Sequence, residues 1–116
     1  MAASFGSVEV DLAKLRDYCL SEAHPRGRHK ARVFRSRLGL SSADSLWLQK
    51  ALTDAVHRAP DRLQDAGADN YGQRWRLDIL LETEVGSALV RSAWIIPDGQ
   101  DVLRLITCYV DQPAQS

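Results

Sequence analysis

Residues 74–82 read Arg-Trp-Arg-Leu-Asp-Ile-Leu-Leu-Glu, and this stretch decides the fold class. Apolar and polar side chains alternate along it with a period of two residues, which predicts a half-buried β-strand. The apolar positions are Trp75, Leu77, Ile79 and Leu81, and the polar ones are Arg74, Arg76, Asp78 and Glu82. Turn signals at 84–87 and 97–100 separate two further strands, predicted over Leu89–Ile96 and Val102–Val110. Short connections between neighbouring strands predict an antiparallel meander.

Three helices are predicted before these strands. Asp11 is a good N-cap for a helix over Leu12–Leu20. A second helix is predicted from about Arg28 to Leu38, with Gly39 at the position where a helix-ending glycine belongs. A third begins after Ser41 or Ser42, where Ser41 and Asp44 form a short capping box, and it ends at Pro60 with a buried stripe of Leu48, Leu52, Ala55 and Ala59.

The order of these elements predicts an α+β fold, with N-terminal helices packed on one face of a C-terminal antiparallel meander of three to four strands. The opposite face of the sheet is then partly open. A short extra strand within Phe5–Val10 is left open, and residues 61–72 are interpreted as turns because Gly, Asp and Asn recur there.

Size and composition predict one domain over residues 1–116. The chain is 45% hydrophobic and 26% charged, which suits a domain that folds without a metal or a disulfide. We expect an ordered core of about residues 8–111, with disorder confined to Met1–Ser7 and Gln112–Ser116. No signal-peptide core and no run of membrane-span length occurs, so we expect no membrane partner. The domain is expected in the cytoplasm, or exported as part of a larger protein.

The sequence predicts no metal or cofactor. Three scattered histidines argue against a metal site, and the usual nucleotide-binding and hydrolase motifs are missing. Cys19 and Cys108 form no CxxC pair, and we interpret them as reduced, buried side chains. A disulfide or a catalytic thiol is the alternative.

The conspicuous functional feature is a stretch rich in Lys and Arg from His24 to Arg37, called the basic segment below. The chain has a net charge of zero, yet this segment holds six of the 15 Lys and Arg residues, and no Asp or Glu occurs from Ala23 to Ala43. The start of the predicted helix, around Gly27 to Lys30, also presents free backbone N–H groups that favour anions. The segment therefore predicts an anion site, unless it is a solvated face paired with acids such as Asp61, Asp65 and Asp69.

RNA cleavage without a metal ion needs a base, an acid and cations that stabilise the charged phosphorane. His24 and His29 are the candidates in this segment for proton transfer near neutral pH, and Arg28 lies at the helix start between them. Together with Lys30 and Arg32, one or both histidines would supply these parts. Each histidine alone also fits a surface or capping role.

Polar side chains on the strands form a second candidate surface. Arg74 and Arg76 lie opposite the apolar face of their strand, while Arg91 and Arg104 interrupt apolar strands. Thr107 and Tyr109 lie on one face of the last strand. Such groups on an open sheet face bind phosphate or stack on a base. Cross-strand pairing of these arginines with acidic residues is an equally good interpretation.

The pattern His24-Pro25-x-Gly27-x-x-Lys30-Ala31-x-x-Phe34, after a helix ending in Tyr18-Cys19-Leu20, resembles a family of small bacterial domains of unknown function. The similarity runs from about Leu12 to Val110. It continues through Tyr71-Gly72, Trp94-Ile95-Ile96 and Arg104-Leu105-x-Thr107-x-Tyr109. Such domains resemble toxin modules of the barnase, EndoU, colicin and RelE-like ribonuclease superfamily.

This resemblance implies a metal-independent endoribonuclease toxin that cleaves RNA by attack of the 2′-OH on the adjacent phosphate. The implied catalytic residues are His24, Lys30 and Thr107. The predicted substrate-binding residues are Arg28, His29, Arg32, Arg76 and Tyr109; the resemblance implies Arg32 and Tyr109, and the charge and strand patterns add the other three. The implied partners are RNA, with tRNA as a candidate, and a cognate immunity protein or antitoxin. The alternative is a non-catalytic antitoxin, immunity or adaptor module whose basic segment binds a protein; the oligomeric state stays open.

Overall fold

The computed structural model describes residues 2–111 and has an α+β architecture, as the sequence predicts. Helix α1 (Leu12–Lys14) continues as a π-helical turn over Leu15–Cys19, and the long helices are α2 (Arg28–Leu38) and α3 (Ser45–Arg58). Short 3-10 turns span Ser42–Asp44 and Pro60–Arg62. The strands are β1 (Ser7–Glu9), β2 (Gln64–Asp69), β3 (Gly72–Glu82), β4 (Ser87–Pro97) and β5 (Val102–Val110).

The sheet has five strands in the order β1-β5-β4-β3-β2. Strands β2 to β5 form a four-stranded antiparallel meander, which confirms the predicted topology. Strand β1 adds to β5 in parallel through pairs from Ser7–Val102 to Glu9–Arg104. The first and last strands of the described chain are therefore neighbours.

The helix boundaries follow the predicted caps. The Asp11 side chain accepts a hydrogen bond from the Ala13 amide at 2.9 Å. Helix α2 ends at Gly39, whose φ of 70° is the left-handed conformation that favours glycine. The Ser41 amide donates to the Asp44 carboxylate at 2.9 Å, which confirms the capping box.

The helices cover one face of the sheet, and one core lies between them. Its largest fully buried side chains include Trp94, Phe34, Leu15, Leu48, Leu52 and Leu103. The buried stripe of α3 is Leu48, Leu52 and Val56, whereas Ala55 and Ala59 are half-buried. The prediction of Ala59 in that stripe was wrong, because the helix stops at Arg58 and Val56 fills the position next to Leu52.

One expectation about the strands was wrong. Residues 64–69 form edge strand β2 rather than turns; every residue of it is exposed, so no apolar alternation marks it. The short strand left open within Phe5–Val10 is present as β1, and before it the Gly6 amide donates to the Asp101 carbonyl at 2.7 Å. The ordered core of about residues 8–111 stays a prediction. Met1 and residues 112–116 lie outside the described residues, so the expected disorder there stays a prediction.

A β-bulge in β5 sets which side chains reach each face. Trp94 pairs with Leu105 and Ala93 pairs with Thr107, so Ile106 is the extra residue. Leu103 and Leu105 are buried before the bulge, and Cys108 and Val110 are buried after it. The bulge therefore reverses the alternation and brings Tyr109 to the open face, opposite Arg91.

Candidate functional site

The loop before α2 is closed by His24. Its Nδ1 accepts hydrogen bonds from the amides of Arg26, at 3.1 Å, and Gly27, at 3.2 Å. The His24 carbonyl accepts from the Arg28 amide at 2.9 Å, where α2 begins. A Cβ on Gly27 would lie 2.5 Å from the Tyr18 carbonyl oxygen, so only glycine fits this close approach.

These hydrogen bonds determine which nitrogen of the His24 imidazole can donate a proton. Because Nδ1 accepts two amide protons, the neutral imidazole carries its own proton on Nε2. The ring packs edge-on against Tyr18, with centroids 4.6 Å apart. In this arrangement His24 is a hydrogen-bond donor through Nε2, and protonating Nδ1 would break both loop hydrogen bonds.

The first turn of α2 reaches the last strand through Lys30. Its Nζ lies 4.5 Å from the centroid of the Tyr109 ring, a cation–π contact. Strand β1 pairs only with residues 102–104 of β5, so α2 approaches the remaining edge of β5. The basic segment and the last strand therefore meet at this edge.

The open face of the sheet carries two rows of side chains beside this contact. One row joins Arg76 of β3, Ala93 of β4 and Thr107 of β5. Neighbouring strands are about 4.8 Å apart, so Arg76 and Thr107 lie roughly 10 Å apart across the small Ala93. The second row joins Asp78, Arg91 and Tyr109 in the same strand order. The small Ala93 thus separates Arg76 from Thr107 on this face.

Carboxylates neutralise the central arginine of this face. Arg91 lies 3.1 Å from Asp78 and 3.1 Å from Asp111. The hydrogen bond to Asp78 raises the pKa of Arg91 further above its ordinary value, and Tyr109 also contributes as a hydrogen-bond partner. Arg76 donates to the Gln64 side chain at 2.7 Å, while its buried Nε has no hydrogen-bond partner within the described residues. Arg91 is thus built into the face as a positioning group.

Most cations of the basic segment form no salt bridge with the residues that the structure describes. Arg35 pairs with Glu22 at 2.9 Å and Arg32 reaches the same carboxylate at 4.0 Å. Within residues 2–111, Arg26, Arg28, Lys30 and Arg37 make no salt bridge. Asp69, one of the acids considered as a partner of this segment, pairs with Arg74 at 2.8 Å instead. The surface of α2 therefore presents uncompensated positive charge.

The two cysteines lie behind this edge as a buried thiol pair. Cys19 Sγ is 4.0 Å from Thr107 Oγ1, and both cysteines are reduced. Hydrogen bonding from the Cys108 thiol lowers the pKa of Cys19 to about 6. The same interaction raises the pKa of Cys108 well above the ordinary value. The pair therefore favours one thiolate on Cys19, with the remaining proton held by Cys108.

The structure brings several of the predicted site residues together and leaves others apart. Lys30 contacts Tyr109 on β5, the strand that also carries Thr107, and Arg76 lies across the face from Thr107. His24 contacts Tyr18, whose chain neighbour Cys19 lies 4.0 Å from Thr107, so among the described residues His24 reaches Thr107 only indirectly. The remaining predicted residues, Arg28, His29 and Arg32, are exposed on α2.

The sequence placed Arg91 among the polar groups of the second candidate surface, with pairing to acidic residues as the alternative, and it gave Ala93 no role. The interruption of an apolar strand by Arg91 was the available signal. In the described part of the chain, no group of three or more His, Cys, Asp or Glu side chains is arranged to hold a metal ion. None of the helices described has the length and apolar character to cross a membrane.

Comparison with known proteins identifies the family. Residues 3–112 match the model of a family described as domain of unknown function DUF6883. The chain belongs to the DUF6883 family. No curated protein sequence matches it. A solved structure, described as a contact-dependent growth inhibition toxin–immunity protein complex from Klebsiella pneumoniae 342, contains a chain that this DUF6883 domain resembles with a TM-score of 0.69. The alignment covers 88% of this chain and 98% of that one at 19% identity, so the likeness shows a shared fold.

Proposed function

We propose that this domain is an endoribonuclease toxin that cleaves RNA without a metal ion. The observation that carries the proposal is the contact of Lys30 with Tyr109 at the edge of an open sheet face, next to a helix surface with unpaired cations. The fold of the growth-inhibition complex supports a toxin or immunity role. Under this proposal the domain acts in the cytoplasm of a target cell and is blocked by a cognate immunity protein.

The proposed reaction forms a bond from the 2′ oxygen to the adjacent phosphorus and breaks the bond from phosphorus to the 5′ oxygen. The 2′-OH proton leaves to a base and the 5′ oxygen gains a proton. Lys30 stabilises the negative phosphorane, and Arg76 holds a neighbouring phosphate across Ala93. Tyr109, placed between Lys30 and Arg91, orients the nucleotide and takes part in proton transfer.

His24 has a narrower role in this proposal than a free histidine would have. Its Nδ1 is engaged by two loop amides, so it acts through Nε2–H as a donor to a phosphate oxygen. Thr107 contacts Cys19 and positions the β5 edge against the Tyr18–Cys19 segment. Arg28, His29 and Arg32 bind the RNA backbone along the exposed side of α2.

The direct test is cleavage of total RNA and purified tRNA by the purified domain, with EDTA present. We expect cleavage by the wild type, loss of at least a hundredfold in rate for Lys30→Ala and Tyr109→Phe, and an unchanged rate for the control Lys50→Ala on the exposed side of α3. The products should carry a 2′,3′-cyclic phosphate. No cleavage at stoichiometric enzyme, or equal rates for all variants, would overturn the proposal.

A binding module without catalysis is the second candidate, and the engagement of His24 Nδ1 favours it. An antitoxin, immunity or adaptor domain would bury its basic segment against an acidic protein. Expression in bacteria separates the two functions. A toxin arrests growth unless Lys30→Ala is introduced, whereas a binding module is harmless in both forms.

A further inference from the structure

The second half of β3 lacks a strand neighbour on one side. Strand β2 pairs with β3 only as far as Gln64–Arg76, whereas β4 pairs along all of β3 up to Glu82. Within the described residues, positions 77–82 of β3 therefore pair with β4 alone. An edge of this kind presents N–H and C=O groups that another extended chain can use.

A groove of about 290 Å³ runs between this edge and α3. Ala51, Ala55 and Ala59 line its helix side, and their small side chains leave the space open. Its strand side includes Ile79, which is half-buried, and Leu80, which is 67% exposed. The groove therefore has an apolar alanine and leucine surface and borders the part of β3 that β2 does not cover.

The ionic groups at the groove have a positive balance. Arg58 and Arg62 line it, and neither forms a salt bridge within the part of the chain described. Asp78 is already bonded to Arg91 at 3.1 Å. Asp61, where β2 begins, and Glu82, at the far end of β3, are exposed and lie outside the groove lining, so the lining itself holds two arginines and one aspartate. The groove thus complements a ligand with apolar and acidic side chains.

We propose that this groove binds an extended segment of a partner protein, which adds as a strand to residues 77–82 of β3. Main-chain hydrogen bonds would supply affinity, and alternate side chains would supply specificity. Apolar side chains of the segment would enter the alanine-lined groove, and carboxylates would meet Arg58 and Arg62. This site lies two strands away from β5 and does not rest on the proposed ribonuclease function.

A second copy of the chain fits this edge less well than an acidic segment does. Two copies paired through β3 about a two-fold axis would bring Arg58 and Arg62 of both copies into one interface. Like charges placed together at an interface weaken association. The charge balance of the groove therefore favours a different, acidic partner.

The test uses the full chain and two synthetic peptides of the same length, one alternating glutamate with valine and the other lysine with valine. We expect the glutamate peptide to bind in a fluorescence anisotropy titration and to slow amide hydrogen exchange in residues 77–82. The double variant Arg58→Glu and Arg62→Glu should weaken this binding at least tenfold and create binding of the lysine peptide. Ala55→Trp should block both peptides, and the control Lys50→Glu on the same helix should change neither.

Circular dichroism shows whether Ala55→Trp folds. If it does not fold, the Arg58→Glu, Arg62→Glu double variant still tests the proposal. Three results would overturn the proposal. The first is no binding of the glutamate peptide by the wild type, or exchange protection outside residues 77–82. The second is a concentration-dependent dimer in sedimentation that protects this same edge. The third is binding that appears only after residues 112–116 are removed, which would make the chain's own terminus the occupant.

Discussion

His24 shows how one side chain that the sequence offers as a catalyst is also a structural cap. Its Nδ1 accepts the amide protons of Arg26 and Gly27, which holds the loop that starts α2. Sequence reasoning gave the residue type and its place in the basic segment. The hydrogen bonds that restrict its chemistry come from the loop conformation, and no residue pattern encodes which imidazole nitrogen is engaged.

Two substitutions at His24 distinguish its structural role in the loop from a role in RNA cleavage. His24→Ala removes an acceptor for two amides and should lower the free energy of unfolding by about 1–2 kcal/mol. His24→Asn supplies a side-chain oxygen that accepts from amides two residues on, so its loss of stability should be smaller, about 0.5 kcal/mol. Urea unfolding measures both. An equal loss for the two variants would contradict the capping role, and loss of RNA cleavage in a stable His24→Asn would show a chemical role.

The thiol pair predicts a pH dependence at the residue scale. Cys19 has a pKa of about 6 in the folded chain, below the ordinary 9.0, so folding favours its thiolate. The stabilisation it provides is complete above pH 9 and is lost as the pH falls through about 6. The raised pKa of Cys108 acts in the opposite direction, because its stabilisation is lost as the pH rises above 9. The contribution of the pair is therefore greatest near pH 9.

Chemical unfolding across this pH range tests the pair. We expect the stability of the wild type relative to a Cys19→Ala, Cys108→Ala double variant to rise between pH 6 and pH 9. In the native protein, ultraviolet absorbance should show one thiolate forming near pH 6, and Cys108→Ala should move that transition toward 9.0. A flat stability difference with no early thiolate would contradict the assignment.

The strands show which parts of the fold sequence patterns could predict. Alternation located β3, β4 and β5 because each has one buried and one exposed face. It missed β2, an exposed edge strand with nothing to bury, and it could not specify the parallel pairing of β1. The position of Tyr109 depends on the bulge at Ile106, since strict alternation would put Tyr109 on the same face as Leu103 and Leu105.

Deleting single residues of β5 tests the bulge. Deletion of Ile106 should preserve the Trp94–Leu105 and Ala93–Thr107 pairs and reduce the free energy of unfolding by only about 1–3 kcal/mol. Arg104 lies in a regular part of the strand, so its deletion shifts the residues on one side of it by one position. Their side chains then point to the opposite face of the sheet, which exposes a buried residue such as Leu103. Thermal unfolding should show a cooperative transition for the first variant and a severely destabilised second one. Equal destabilisation would argue against this register.

At the scale of the whole molecule, the chain is neutral but its charge is distributed unevenly. Six of 15 basic residues lie between His24 and Arg37, and within the described chain most of them lack an acidic partner. A neutral protein with a local positive field attracts polyanions over that surface alone. Under the ribonuclease proposal, RNA would meet this surface beside the β5 edge.

The salt dependence of RNA binding measures this field. Arg28→Ala combined with Arg37→Ala should weaken binding of single-stranded RNA and lower the slope of log affinity against log salt by about one for each lost phosphate contact. Arg35→Ala should change the slope less, because Arg35 is paired with Glu22 at 2.9 Å. Filter binding at several salt concentrations gives the slopes. Identical slopes for the wild type and the double variant would place RNA elsewhere.

The pairing of β1 with β5 has a consequence for the order in which the domain is completed. Ser7 can pair with Val102 only after Val102 has been synthesised, since 94 residues lie between these partners. Contacts with such a long sequence separation are slow to form and close late. During synthesis from the N-terminus, β1 therefore stays without its partner strand until β5 has emerged from the ribosome. The sheet edge beside Lys30 and Tyr109 is complete only once synthesis has passed Val110.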